Sequence, residues 1–129
     1  MSADADTIRA TIDRYTAAFS AGDRDGLLAC FTDDACIEDP VGSPRLQGMD
    51  AIGGFFDQNQ ALADSVELRR TGPVRVAAGE AAFPMQARPT IGGTTYCIHI
   101  IDVMTFADDG RITTMRAFWD PAAMAPADD

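Results

Sequence analysis

The sequence predicts an α+β fold: three helices followed by a strongly curved antiparallel sheet, bent around them into a cone closed at one end and open at the other. Three observations carry this expectation. Apolar residues recur three and four apart up to Leu62, the spacing of a helix with one buried face. From Val66 onward the period changes to two, the spacing of a half-buried strand. Gly72-Pro73, Gly92-Gly93 and Asp108-Asp109-Gly110 then break that second half where turns between strands belong. With 129 residues and no internal repeat, linker or low-complexity block, the chain reads as a single domain with one modest core. Residues 1–6 and 121–129 read as loose tails.

The first helix is expected over residues 7–21, with Ile8, Ile12, Tyr15 and Phe19 on one face and Gly22 to stop it. Asp23 reads as the N-cap of a short second helix carrying Leu27, Leu28 and Phe31. Asp33-Asp34 is then a turn or cap, and Cys36-Ile37-Glu38 a brief strand ending at Asp39-Pro40. Pro40, Gly42 and Pro44 make the next stretch a loop. The third helix runs from Gly48 to about Leu62, with Ile52, Phe55, Phe56 and Leu62 as its apolar side. Gly53 and Gly54 weaken its middle by about 1 kcal/mol each relative to alanine, and close approach of another element is one reason to keep them. Strands follow at 66–70, 74–77, 81–90 and 111–119, with Pro84 marking an edge or a bulge. Met115, Ala117 and Trp119 share one face of the last of them.

Cys97 to Phe106 is apolar and β-branched enough to be a central strand, and it carries one carboxylate, Asp102. Alternation puts Asp102 on the side of Ile98, Ile100 and Met104. Two readings stand. Either that side faces a dry interior, where an unpaired carboxyl is driven to keep its proton, or the strand is an edge and Asp102 is wetted. Tyr15 is likewise either core filler with a backbone-bonded hydroxyl or a polar group aimed inward. Asp39, restricted by the proline after it, either points into a cleft or is a surface turn acid, and Glu38 competes with it.

Composition narrows the chemistry. The formal net charge is −10 and every basic side chain apart from His99 is Arg, which argues against nucleic acid or an anionic membrane as partner. No apolar run approaches the ~20 residues of a membrane span, and Met1 to Arg9 is acidic where a signal peptide would be basic. Cys30, Cys36 and Cys97 form no Cys-x-x-Cys pair and read as buried thiols of a reducing compartment, hence cytoplasmic. His99 faces away from Asp102 by parity and reads as structural or interfacial; one histidine excludes a multi-histidine metal site. Neither Gly-x-Gly-x-x-Gly nor a phosphate-loop pattern occurs, so the sequence gives no case for a dinucleotide or nucleoside triphosphate. Acid–base work by isolated carboxyls and a tyrosine is left, without cofactor or metal.

Tyr15 within Arg14 to Asp23, Asp39 within Asp33 to Ser43, and Asp102 within Ile101 to Phe106 then line up. From Thr7 to Trp119 the sequence resembles the bacterial Δ5-3-ketosteroid isomerases, members of the nuclear-transport-factor-2-like and SnoaL-like superfamily with its cone-shaped fold. Gly72-Pro73-Val74-Arg75, Asp109-Gly110-Arg111-Ile112 and Met115-Arg116-Ala117 extend the likeness. The resemblance implies Asp39 as general base, moving a proton from C4 to C6 of a 3-oxo-Δ5-steroid. It implies Tyr15 and protonated Asp102 as hydrogen-bond donors to the C3 oxygen. Val41, Phe55, Phe56, Phe83, Met85, Met115 and Trp119 would line the steroid pocket. It further implies a homodimer through the outer face of the sheet, with which the face of His99, Ile101 and Val103 is compatible. This chain departs from some relatives: Phe56 and Phe31 stand where supporting tyrosines occur, and Met85 replaces a phenylalanine. The missing hydroxyls bear on rate rather than on binding. The rival expectations are a non-catalytic steroid- or lipid-binding or dimerisation module, and another cofactor-free lyase or hydrolase of the superfamily. A mere binder needs no base at the cleft edge.

Overall fold

The computed structural model describes residues 2–127, so Met1, Asp128 and Asp129 of the two expected tails lie outside the described residues. Asp4 caps α1 (Ala5–Ala21) by accepting the Thr7 N–H at 2.7 Å, and Gly22 ends the helix with φ 70°, a conformation glycine adopts without strain. Asp23 caps α2 (Arg24–Leu28) in the same way through the Gly26 N–H. Phe31 is not on this helix but opens β1 (Phe31–Glu38), in which Asp33 and Asp34 occupy exposed positions instead of a turn. After β2 (Leu46–Gln47) comes α3 (Met49–Leu62). The Arg24 guanidinium occupies the space a Cβ would take at Gly53, so the close approach is real at that glycine and absent at Gly54. β3 (Ser65–Arg70), β4 (Arg75–Ala77), β5 (Glu80–Ile91), β6 (Thr94–Phe106) and β7 (Ile112–Phe118) follow.

The sheet corrects the predicted cone. Its order is β2-β1-β7-β6-β5-β3, with β6 central as expected. β1 runs parallel to β7, pairing Ile37 with Met115 and Glu38 with Arg116, so the sheet is mixed, not antiparallel. Closure would require the outermost strands to pair with each other. β2 and β3 end the order instead, and the sheet stays open, neither closed nor curled into a cone. The helices do not all precede it either, since α3 follows β1 and β2.

Pro84 also differs from expectation, because β5 is an interior strand. It pairs with β6 along one side, and on the other side with β3 up to Met85 and with β4 from Ala82. Pro84 falls in the gap between those two partners, where its carbonyl accepts from Thr71 N–H and no ladder partner awaits the N–H it lacks. At the C-terminal end, Pro121–Ala123 forms a 3-10 turn and β8 (Ala125–Pro126) pairs with Tyr96 and Cys97 of β6, seating that part of the expected loose tail on the sheet. The core lies between one sheet face and the helices: Ile8, Ile12, Ile52 and Phe56 meet Ile37, Phe83, Met104 and Met115, all buried. Each such side chain contributes about 1.5–3 kcal/mol by leaving water. No helix among the described residues is long and apolar enough to cross a membrane.

Candidate active site

Tyr15, Asp39 and Asp102 line the same cavity, of about 290 Å3, between α1, α3 and the inner face of the sheet. Tyr15 sits on the face of α1 that buries Ile8 and Ile12 and is 5% exposed. Its ring meets Phe31 edge-on at 6.1 Å and Phe19 at 6.2 Å, apolar contacts that fix the ring and leave the hydroxyl as its polar end. Burial first, and then the charges of Asp102 and Asp39, push its pKa well above the ordinary 10, so it stays an O–H donor.

Asp102 lies in the middle of β6 and is 4% exposed, which decides between the two readings of that strand. Burial, with the neighbouring charge of Asp39 second, raises its pKa from 3.8 to about 8. At neutral pH it carries its proton. Among the described residues, neither the Tyr15 hydroxyl nor the Asp102 carboxyl has a hydrogen-bond partner on the protein. Both donors are therefore available to whatever fills the cavity.

Asp39 and Glu38 separate cleanly. Trp119 Nε1 donates to Asp39 Oδ1 at 2.6 Å, and Asp39 is half-buried at the cavity wall. Burial raises its pKa while the Trp119 hydrogen bond works against that rise. The loop that carries it is pinned to β7 by Val41 N–H donating to Ala117 O at 2.8 Å. Glu38 accepts from Gly42 N–H at 3.0 Å and from Arg116 Nε at 3.1 Å, and these two partners hold its pKa below the usual range. Glu38 is not among the cavity residues.

Of the expected pocket residues, Phe55 and Trp119 line this cavity, whereas Val41, Phe56, Phe83, Met85 and Met115 do not. Phe83 and Met85 pack behind it, as register partners of Asp102 and Ile100. Phe56 and Met115 line a separate apolar gap of about 10 Å3 beside Tyr15 and Phe31. Val41 stays in the loop. The cavity residues not expected from the sequence include Phe19, Leu68, Ile98 and Ile100 and the two amides Gln58 and Asn59. Ile98 and Ile100 share the parity of Asp102, and Gln58 and Asn59 stand three and four after Phe55 on α3, so both sets carried a readable signal.

His99 lies on the opposite face of β6, its Nε2 3.8 Å from Cys97 Sγ, in a groove with Arg69 and Arg88. All three cysteines are free; Cys30 is buried, Cys36 and Cys97 half-buried. Among the described residues no three of His, Cys, Asp and Glu stand together as a metal site would need.

With the fold and site in place, residues 12–115 match the SnoaL-like domain, and the chain belongs to that family. It is 40% identical over 117 residues to the Steroid Delta-isomerase of Nocardioides simplex, an alignment covering 91% of this chain and 93% of that protein. Two solved structures are also similar. The epoxide hydrolase/cyclase-like enzyme SalBIII, of pyran ring formation in polyether salinomycin, gives a TM-score of 0.87 at 26% identity, covering 96% of this chain and 98% of that one. RV0760c of Mycobacterium tuberculosis gives 0.83 at 25% identity, covering 94% and 96%. The resemblance read from Tyr15, Asp39 and Asp102 thus holds at the level of the family.

Proposed function

We propose that this chain is a steroid Δ-isomerase that converts 3-oxo-Δ5-steroids to their conjugated Δ4 isomers. One observation carries the reading: a neutral carboxyl, Asp102, and a neutral Tyr15 line the cavity that Asp39 also faces. Asp39 takes the C4 proton, the electron pair moves into the C3 carbonyl to give a dienolate, and the same carboxylic acid returns the proton at C6. Tyr15 and Asp102 donate hydrogen bonds to the C3 oxygen, and gain most as negative charge builds there in a dry cavity. The charge of Asp39 opposes ionisation of Asp102 across the cavity; Trp119 donates to Asp39, which favours its charge, and Asp102 keeps the proton. Ketosteroid isomerases use an aspartic acid kept neutral by its apolar site as such a donor, and the burial of Asp102 supports the same role in this chain.

The identity with the Nocardioides enzyme supports a steroid substrate. The likeness to SalBIII supports a second reading, in which Asp102 donates to an epoxide oxygen while Asp39 activates the attacking hydroxyl. A homodimer through the outer face of the sheet belongs to the first reading; its support is the pairing of Ile101 and Phe118 there, 47% and 42% exposed. The experiment follows ultraviolet absorbance as 5-androstene-3,17-dione becomes the conjugated enone, for the wild type beside Asp39→Asn. Rapid conversion that collapses in the variant supports the isomerase. No conversion by folded wild type that still binds the steroid contradicts it.

A further inference from the structure

The cavity has two chemically different ends. Along β6 it is lined by Asp102, Ile100 and Ile98, a span of four residue steps or about 13 Å at strand spacing. Ile98 pairs with Ala87, which pairs in turn with Leu68, and both of these also line the cavity. The opposite wall is α3, through Phe55, Gln58, Asn59 and Leu62, one face of the helix. The chain leaves that helix and enters β3, where Val66 pairs with Pro89, so the last turn of α3 stands at the Ile98 end. Phe55 lies two turns back, about 10 Å nearer the Tyr15 end, where it also borders the gap around Tyr15 and Phe31.

Within the Ile98 end the walls are aliphatic except for Gln58 and Asn59. Asn59 is half-buried and its Nδ2 donates to Phe55 O at 2.9 Å, which holds the amide along the helix face and leaves Oδ1 and the second N–H unspent. Gln58, beside it, is exposed at the rim. A substrate anchored by one carbonyl at Tyr15 and Asp102 lies along Ile100 and Ile98 and brings its far end to these amides. We propose that Asn59, with Gln58, is the specificity determinant for that far end, and that the preferred substrates are 3-oxo-Δ5-steroids bearing a hydrogen-bonding oxygen at C17. The assignment rests on the isomerase reading. An apolar far end leaves the Asn59 amide without its partner as water is displaced, which is what makes such a site discriminate.

The test is a ratio of ratios. kcat/KM is measured for 5-androstene-3,17-dione and for 5-androsten-3-one, which lacks the C17 oxygen, with wild type, Asn59→Leu and Gln58→Leu. The wild type is expected to prefer the dione by about tenfold, the worth of one hydrogen bond, and Asn59→Leu to bring the ratio near unity through KM for the dione. Gln58→Leu is expected to lower the ratio less. A lesion that only disturbs packing lowers both substrates together and leaves the ratio, and that result overturns the inference. So does a wild-type ratio near one, which needs no variant to fold. Turnover of neither compound by the wild type defeats the isomerase reading and this one with it, whereas turnover of both at equal kcat/KM defeats this one alone.

Discussion

The two faces of β6 carry polar residues three positions apart that meet opposite fates. Asp102, on the inner face with Ile98, Ile100 and Met104, is buried and holds its proton to about pH 8. His99, on the outer face, shares an open groove with Arg69, Arg88 and Cys97. The end of β1 repeats the contrast between adjacent acids: Asp39 faces the cavity with a raised pKa, and Glu38 is paired with Arg116 and Gly42 outside the cavity with a lowered one. For the two adjacent acids what differs is burial at Asp39 against the hydrogen-bonding and charged partners of Glu38. Chemistry here is a property of the sheet face.

Substitutions that exchange one side of the contrast for the other are the way to break it. The largest effect belongs to the adjacent acids: on the proposed isomerase reading Asp39→Asn lowers kcat by about a thousandfold, as for loss of a general base, while Glu38→Gln costs only a fewfold. Stopped-flow absorbance on both variants checks this, and comparable losses would erase the distinction drawn at β1. Next come the two donors. On the proposed isomerase reading, Tyr15→Phe or Asp102→Leu each lowers kcat by about a hundredfold with a smaller change in KM, since their hydrogen bonds would strengthen as the dienolate forms.

A stability measurement sharpens the contrast from another direction. Unfolded, Asp102 releases its proton near 3.8; folded, near 8. The folded state therefore holds the extra proton between those values, so its stabilisation is complete below the lower one and is lost as pH rises through the upper. The decline reaches about 1.4 kcal/mol per pH unit for one proton, and the raised pKa of Asp39 adds in the same sense. Urea midpoints at pH 5 and pH 8 should fall for the wild type and fall less for Asp102→Asn. The smallest effect is on the outer face: His99→Gln leaves kcat within about twofold, because His99 reaches neither the substrate nor its base.

Much of this was legible in the chain. The period of two through Cys97 to Phe106 already separated Asp102 from His99, and Pro40 already marked Asp39 as a constrained strand-end acid. The caps at Asp23 and Gly22 were readable because capping is local. What escaped was non-local. The parallel pairing of β1 with β7 joins residues nearly eighty positions apart and leaves no mark in either segment. It lengthens β1 back to Phe31, absorbs Asp33 and Asp34, and makes the sheet mixed; the unpaired outer edges of β2 and β3 then leave it open where a cone was expected. Pro84 sits in an interior strand because two separate partners happen to leave a gap opposite it. Phe83, Met85 and Met115, expected to line the pocket, are buried but do not line this cavity, because an apolar residue at such a position in the sequence does not distinguish a cavity wall from the packing behind it.

Everything turns on a carboxylic acid that stays neutral beside a carboxylate. Infrared difference spectroscopy at pH 7, wild type minus Asp102→Asn, reads that directly through the carbonyl stretch of a protonated carboxyl. The band should be present in the wild type, absent in the variant, and fade as pH passes about 8. A wild-type protein without the band at pH 7, or with one that survives Asp102→Asn, would mean that Asp102 is not the neutral donor and that the cavity works in another way.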